Sequence, residues 1–267
     1  MIISVFGDVH GNIEGVYKSV RDWQRKNKDK IDLILQVGDL GVYDPNKPPY
    51  VKSRVLKKNP NELKIYDFLK NSSIYEKYFN SSKNDFYSSI DAKLFFTRGN
   101  HDDASYLKKL EDKNLNSNFH YLNDKILYLS DSKPTIVYAD DGEYVTFAGI
   151  GGIEKKSRPN SIKKDPSISI NENALFDALY LKNLDIFLTH MHPVEAKNNG
   201  SENLSTLINL IKPKNYFFGH LNKTPSRFKI NNTECFGLKQ VEYDSIDNIY
   251  DKSMVVLEKK YGSLNII

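Results

Sequence analysis

The chain has 267 residues, of which 39% are hydrophobic, with a formal net charge of +4. This composition provides apolar side chains for a substantial core and excludes global disorder, and the small positive excess permits an anionic substrate but excludes a nucleic-acid-coating protein. The one cysteine, Cys235, excludes an intrachain disulfide framework and a cysteine-based zinc site, and no apolar run is long enough for a membrane span or a signal-peptide core, so we expect a cytoplasmic protein without a membrane partner.

The first predicted unit is a strand, a helix and a second strand. Residues 2–6 and 31–37 are continuous apolar runs, which are typical of buried parallel strands. Between them, apolar residues recur at helical spacing over 13–27. Each strand is followed by a Gly-Asp pair, which contains Asp8 or Asp39. Because ligands of open α/β sheets bind beyond the carboxyl ends of the strands, we expect both aspartates at the functional edge.

A long segment separates the second strand from the third. It begins with a Pro-rich stretch, and helical patterns follow near 61–70 and 73–79. We interpret residues 42–91 as a helical insertion within a single domain of residues 1–267. We expect Tyr43, Tyr50 and Tyr66 to pack in the core or in a lid, with stacking on a base as the alternative.

The rest of the chain alternates strand patterns with helical ones. Strands are predicted at 93–97, 125–129, 134–139, 143–148, 184–188 and 216–218, and helices over about 102–111, 173–181 and 201–211. We expect the apolar stretches from residue 228 onward to add strands of an antiparallel edge.

The histidines collect behind the predicted strands. Four of the six directly follow a strand, namely His10, His101, His190 and His220, and His192 is two residues from one of these. They share the strand ends with Asp8, Asp39 and Asn100. Imidazole, carboxylate and amide groups together suit Mn, Fe, Zn or Ni. A carboxylate between two such ions can bridge them, and two ions can clamp a phosphoryl group and activate water.

Five short motifs occur in a fixed order along these strand ends: Gly-Asp-Val-His-Gly at 7–11, Gly-Asp at 38–39, Gly-Asn-His-Asp at 99–102, Thr-His at 189–190 and Gly-His at 219–220. This series resembles the calcineurin-like metallophosphoesterase superfamily. The resemblance implies an α/β fold in which two mixed β-sheets pack as a sandwich flanked by helices, a four-layer αββα arrangement. It also implies hydrolysis of phosphoesters with two divalent metal ions, for which we expect Mn, with Fe, Zn, Ni and Mg as alternatives.

The resemblance assigns a role to each motif residue. It implies that Asp8 and His10 bind the first ion, that Asp39 bridges both ions, and that Asn100, His190 and His220 bind the second. It places His101 against the substrate, where it assists the leaving oxygen. A hydroxide between the ions is then expected to attack phosphorus in line.

The last motif departs from the family pattern. The family usually has Gly-His-x-His, and the second histidine is replaced here by Asn222. Asn222 is a candidate ligand of the first ion, with a bystander role as the alternative. Since an amide oxygen binds transition metals more weakly than imidazole, we expect a looser first site, a harder ion such as Mn or Mg, or a partly empty first site. His192 is interpreted as a residue that lines the pocket.

The substrate class is narrowed by comparing subfamilies. The second motif lacks the second aspartate and the arginine of serine/threonine phosphoprotein phosphatases. The order of segments is similar to RNA lariat debranching enzymes, but those usually have cysteine in place of Asp8 and keep the last histidine. We therefore expect a phosphodiesterase. A phosphomonoesterase or protein phosphatase, a nuclease of the debranching type and a catalytically impaired scaffold remain alternatives.

The expected partner is a phosphoester substrate, with nucleic acid or a nucleotide as the candidate. A run of basic residues between 155 and 164 is interpreted mainly as solvated surface. Its alternative role is an electrostatic funnel for a nucleic-acid backbone.

Overall fold

The structure is a computed structural model that describes residues 1–71, 73, 76–80, 85–154, 166–221, 225–241 and 252–267. In this part of the chain the strands are β1 Ile2–Phe6, β2 Leu33–Gln36, β3 Lys93–Phe96, β4 Phe119–Tyr121, β5 Ile126–Leu129, β6 Thr135–Tyr138, β7 Tyr144–Ile150, β8 Ile186–Thr189, β9 Asn215–Phe218, β10 Ser226–Ile230, β11 Thr233–Gly237, β12 Met254–Lys260 and β13 Ser263–Ile266. The α-helices are α1 Ile13–Asn27, α2 Ser53–Lys58, α3 Lys64–Lys70, α4 Glu76–Phe79, α5 Ala104–Lys113, α6 Glu172–Ala178 and α7 Glu202–Ile211. None of the helices described is long and apolar enough to cross a membrane.

The strands form two mixed sheets. In the first, the order is β13-β12-β1-β2-β3-β5-β4, with β1, β2, β3 and β5 parallel to one another. In the second, the order is β10-β11-β9-β8-β7-β6, with β11, β9, β8 and β7 parallel. Since parallel strands share the direction of their carboxyl ends, the loops that follow them collect at one edge of each sheet.

Alternate residues of each central strand face different apolar layers. In β1, Ile3 and Val5 pack between the two sheets, where they belong to the same cluster as Phe147 and Phe217 of the second sheet. The neighbouring Phe6 packs outward with residues of α1, α3, α4 and α5. Helices α6 and α7 cover the outer face of the second sheet. Both faces of the strands are therefore buried, which explains their continuous apolar runs and confirms the predicted αββα sandwich.

Local sequence signals set the ends of two helices that position site loops. Asn12 Oδ1 accepts a hydrogen bond from Gly15 N (3.1 Å) at the start of α1, and α1 ends before Lys28, which has a left-handed φ of 55°. Ser201 Oγ likewise accepts from Leu204 N (3.1 Å) at the start of α7. Each cap satisfies a backbone N–H that has no partner within the helix.

The tail and the insertion differ from the sequence prediction. Strand β11 runs parallel to β9, and β12 lies between β13 and β1, so the tail is shared between both sheets and is not one antiparallel edge. Helix α2 and strand β4 were not predicted, because elements of six and three residues are too short to show a clear hydrophobic period.

Candidate active site

Loops that follow five strands bring the predicted site residues together. The loops after β1, β2 and β3 carry Asp8 and His10, Asp39, and Asn100 and His101, and those after β8 and β9 carry His190 and His220. Asp8, His10, Asp39 and His190 are each at most 5% exposed. The site therefore lies where the two sheets meet, in surroundings of low polarity that strengthen electrostatic interactions.

Three of these residues have a left-handed backbone. The φ angles are 47° at His10, 55° at Asp39 and 59° at His220, a conformation that side chains with a Cβ adopt at a cost of about 1–3 kcal/mol. Neighbouring loops hold it in place: the backbone N–H groups of Val9 and His10 both donate to Asp39 O, at 3.0 and 2.7 Å. Such strain is concentrated at functional sites, where it sets the direction of a side chain.

One group of potential metal ligands converges on His190. Its Nε2 lies 3.1 Å from Asn100 Oδ1, 3.3 Å from Asp39 Oδ2 and 3.1 Å from His220 Nδ1. Its Nδ1 lies 3.2 Å from Val37 O. A carbonyl only accepts, so Nδ1 carries the proton, and in the neutral ring Nε2 is left with a lone pair that faces two further acceptors.

A metal ion fits this group of atoms. Lone pairs that face one another repel unless a positive charge lies between them. Ligands about 2.1 Å from one ion are separated by about 3.0–3.4 Å in octahedral or tetrahedral geometry, which matches the separations around His190 Nε2. The described residues of this group with ionisable side chains, Asp39, His190 and His220, form one of two sets whose ligand atoms lie within 4.8 Å of one another.

The second set consists of His10, Asp39 and His101. We call these two sets of potential metal ligands the donor sets. His10 Nε2 lies 3.6 Å from Asp39 Oδ2, and His101 N donates to Asp39 Oδ1 at 2.7 Å. The carboxylate of Asp39 therefore belongs to both sets and lies between His10 and His190. This is the position that a bridging ligand of two ions requires.

Asp8 belongs to neither set in the described part of the chain. Its Oδ1 and Oδ2 accept from the backbone N–H of His220 at 3.1 and 3.2 Å, and Oδ1 lies 3.7 Å from His190 Nδ1. Burial raises the pKa of Asp8 against the attraction of His190, and the charge of Asp39 raises it further. Asp8 thus links the ends of β1 and β9 and remains beside both donor sets.

A model of the calcineurin-like phosphoesterase family matches residues 1–223. The chain belongs to the calcineurin-like phosphoesterase family. It is therefore a metal-dependent phosphoester hydrolase, and the family's two divalent ions suit the two donor sets that share Asp39.

Solved structures with similar folds have low sequence identity. TT1561 of Thermus thermophilus is 15% identical, with a TM-score of 0.49 over 100% of this chain and 97% of that chain. A dimetal phosphatase from Danio rerio is 12% identical, with a TM-score of 0.45 over 96% and 92% of the two chains. A further structure is 12% identical, with a TM-score of 0.54 over 100% of this chain and 98% of that chain, and it shows the same fold. A search of curated proteins gave no match.

The electrostatics of this phosphoesterase site favour positive charge. Burial lowers the pKa of His10, but its hydrogen bond with Glu62 and the charges of Asp39 and Asp8 raise it to about 9. Burial also lowers the pKa of His190, but the charges of Asp39 and Asp8 raise it to about 9. Burial raises the pKa of Asp39, yet His190 and His10 outweigh it and hold this pKa well below its usual value. Protons on His10 and His190 thus balance the charge of the carboxylates, and bound metal cations would supply the same positive charge.

Two buried acids complete the site and had no role in the sequence prediction. Glu62 Oε2 lies 3.1 Å from His10 Nδ1, and Glu62 Oε1 lies 3.1 Å from His101 Nδ1. Asp102 accepts from the backbone N–H groups of Gly41, Val42 and Gly99, at 2.7–3.0 Å. Asp102 could have been identified as the last residue of the Gly-Asn-His-Asp motif, whereas no sequence signal marks Glu62.

The remaining histidines lie outside the donor sets. His192 is buried, its Nδ1 lies 3.3 Å from Pro193 O, and its ring stacks on His220 with centroids 6.3 Å apart. His120 Nε2 is 2.9 Å from Ser130 Oγ, away from the site. Asn222 and the basic run between 155 and 164 lie outside the described residues.

A cavity of about 700 Å³ opens beside the donor sets. Asn100 and His101 line it, and the insertion contributes Lys47, Tyr50, Lys52 and Arg54 together with Tyr43 and Asp44. We call this cavity the insertion groove. Tyr50 is 86% exposed on its wall, so the expectation that it packs in the core or in a lid was wrong. It follows Pro48 and Pro49, which favour an extended chain and hold it away from the core.

Proposed function

We propose that this protein hydrolyses phosphodiesters with two divalent ions, and that manganese is one that supports activity. The observation that carries the proposal is the position of Asp39, whose Oδ2 lies 3.6 Å from His10 Nε2 and 3.3 Å from His190 Nε2. Two ions bound there would lower the pKa of an attacking water and neutralise charge that develops on the phosphoryl oxygens.

We assign the ligands by their donor sets. Asn100, His190 and His220 hold one ion, His10 and Asp8 hold the other, and Asp39 bridges them. The arrangement around His190 supports the first assignment most directly, since three ligand atoms lie within 3.3 Å of its Nε2. Asn222 stays a candidate ligand of the ion that Asp8 and His10 hold.

His101 acts on the substrate in this proposal. Its side chain is 27% exposed and lines the insertion groove, whereas that of His10 is 6% exposed. Glu62 accepts the Nδ1 proton of His101, so Nε2 is the nitrogen that faces outward to the leaving oxygen. Burial lowers the pKa of His101, but Glu62 and Asp39 raise it above its usual value, which keeps a proton available for the leaving group.

A diester is favoured over a monoester by the space next to His101. The insertion groove begins at Asn100 and His101 and gives room for an ester group on phosphorus. The arginine that phosphoprotein phosphatases use for a monoester dianion has no counterpart at positions 40–44. We propose that residues 42–91 act as an insertion of one domain that forms the far wall of this groove.

The test compares bis-p-nitrophenyl phosphate with p-nitrophenyl phosphate in the presence of Mn²⁺, Ni²⁺, Mg²⁺ or EDTA. We expect turnover that needs metal and is faster with the diester. Faster turnover of the monoester would replace the diesterase assignment with a phosphatase. Absence of turnover with every metal would refute the proposed activity, and Asn222→His would then test whether a missing ligand is the cause.

A further inference from the structure

The insertion groove continues away from the donor sets and is lined by cations. Lys47, Lys52 and Arg54 are exposed and line the groove together with His101. In the described part of the chain, none of the three cations has an ion pair within 4.0 Å. Their charge is therefore available to an anion in the groove.

The acids that line the same groove are held by other groups. Asp102 accepts three backbone N–H groups, and Asp103 accepts from Tyr106 N at 3.0 Å as the cap of α5. Asp44 accepts from Asn46 N at 3.0 Å and lies 3.8 Å from Lys109 Nζ. Residues 43–55 contribute three cations to the lining and one acid, Asp44, which has Lys109 beside it, so this part of the groove carries net positive charge.

An aromatic ring lies among the three cations. Tyr50 is 86% exposed, between Lys47 and Lys52 in the sequence. Cations that follow a backbone and exposed rings that stack on bases are together the features of proteins that bind single-stranded nucleic acid. A paired base has no free face for such a ring, and a phosphopeptide does not repeat its charge at each unit.

We propose that the insertion groove binds a single-stranded oligonucleotide, whose scissile phosphodiester lies at the donor sets. Lys47, Lys52 and Arg54 contact the phosphates next to the scissile one, and Tyr50 stacks on a base. This inference rests on the proposed phosphodiesterase activity and names the substrate class of the same site.

The test measures binding of a short fluorescein-labelled oligothymidylate by anisotropy in Mn²⁺, with phosphorothioate linkages that resist hydrolysis. The triple variant Lys47→Ala, Lys52→Ala, Arg54→Ala is compared with a matched triple variant, Lys26→Ala, Lys182→Ala, Lys260→Ala. The matched variant removes three exposed lysines that lie at the amino ends of the central parallel strands. Thermal unfolding verifies that each variant is folded.

We expect the groove variant to bind at least about tenfold more weakly at low salt, with a salt slope that is smaller by about two. The matched variant should bind like the wild type. Tyr50→Ala should weaken binding by about five- to 150-fold without changing the salt slope, as loss of stacking requires.

Equal binding by the groove variant and the matched variant would overturn the inference, as would absence of binding by the wild type. Equal competition by an acidic phosphopeptide would also overturn it, in favour of a protein substrate. Turnover of bis-p-nitrophenyl phosphate by the same wild-type preparation separates these outcomes from failure of the proposed activity. That diester carries no second phosphate, and the binding assay needs no turnover.

Discussion

Glu62 Oε2 lies 3.1 Å from the Nδ1 atom of His10, although the two residues are 52 positions apart in the sequence. The other carboxylate oxygen of Glu62 lies 3.1 Å from His101 Nδ1 and 3.2 Å from the hydroxyl of Tyr43, which donates to it. One fully buried carboxylate thus holds Nδ1 of both rings, which leaves Nε2 of each ring for the site. Hydrogen bonds of this kind orient metal-binding histidines and set their tautomer.

Replacing Glu62 with glutamine should weaken both metal binding and turnover. A glutamine side chain has one oxygen and one NH₂ group, so only one of the two histidines keeps an acceptor. The other ring must rotate or move its proton to Nε2, the atom that faces the site. We expect Mn²⁺ affinity, measured by isothermal titration calorimetry, and kcat for bis-p-nitrophenyl phosphate to fall by about 10–100-fold.

The matched control for this change is Glu76→Gln. Glu76 is also a glutamate of the insertion, but it is exposed. Its replacement should leave both quantities at their wild-type values. Wild-type Mn²⁺ affinity in Glu62→Gln would show that His10 does not depend on this hydrogen bond.

Asp39→Asn should remove the shared ligand without distorting the loop. Asparagine tolerates a left-handed backbone such as the φ of 55° at this position. Its neutral amide cannot bridge two ions as a carboxylate does. We expect the metal content, measured by inductively coupled plasma mass spectrometry, to fall to at most about one ion per chain. Turnover should fall at least about 100-fold.

Asp124→Asn, on the surface, serves as the control. Two ions retained in Asp39→Asn would contradict the bridging role of Asp39.

The site residues that could be predicted from the sequence are those that directly follow strands. Asp8 and Asp39 follow continuous apolar runs, and parallel pairing of β1 with β2 places them at one edge. His190 and His220 follow β8 and β9 in the second sheet by the same rule. Strand order within a sheet was not needed for this prediction, because only the direction of the strands matters.

Glu62 could not be predicted, because its position depends on how residues 42–91 pack against the site loops. Its contacts span 52 and 39 residues and follow no period. The Gly-Asn-His-Asp motif marks Asp102 itself but not its partners, which are N–H groups of the loop after β2 as well as of its own loop. Long-range contacts of single polar side chains depend on loop packing, which hydrophobic patterns do not determine.

Gly99→Ala should disrupt the site through its contact with Asp39. A Cβ at Gly99 would overlap the Oδ1 and backbone N atoms of Asp39. Asp39 cannot move away freely, since Val9 and His10 donate to its carbonyl oxygen. We expect a loss of about 1–3 kcal/mol in the free energy of unfolding, measured in urea, together with weaker Mn²⁺ binding.

Gly142→Ala is the control for Gly99→Ala. It lowers stability through its backbone conformation without placing an atom beside the site. Gly142 has a φ of 84°, and nothing lies within 4 Å of an added Cβ. Alanine there should cost about 1–2 kcal/mol from its left-handed backbone and leave Mn²⁺ affinity unchanged. Equal Mn²⁺ affinities for the two alanine variants would show that Gly99 is not required for space beside Asp39.

Asp185 links the second sheet to the first, far from the donor sets. Its Oδ1 accepts from Lys214 Nζ and Lys259 Nζ, both at 2.8 Å, and its Oδ2 accepts from Thr146 N at 3.1 Å. Lys259 belongs to β12 of the first sheet, and its side chain is 5% exposed. Burial raises the pKa of Asp185, but the hydrogen bonds from the two lysines outweigh burial and lower this pKa below 3.8.

Asp185→Asn should therefore change the pH dependence of stability. Because the pKa is lower in the folded protein, the carboxylate stabilises the fold above the unfolded pKa of about 3.9 and loses this effect as pH falls further. At pH 7 we expect the variant to lose about 3 kcal/mol, since Lys259 keeps a buried charge without an ionised partner. The difference from wild type, measured by urea unfolding, should shrink below about pH 4. Asp177→Asn, on the surface, controls for the loss of one charge, and a difference that stays constant down to pH 3 would exclude ionisation of Asp185 as its source.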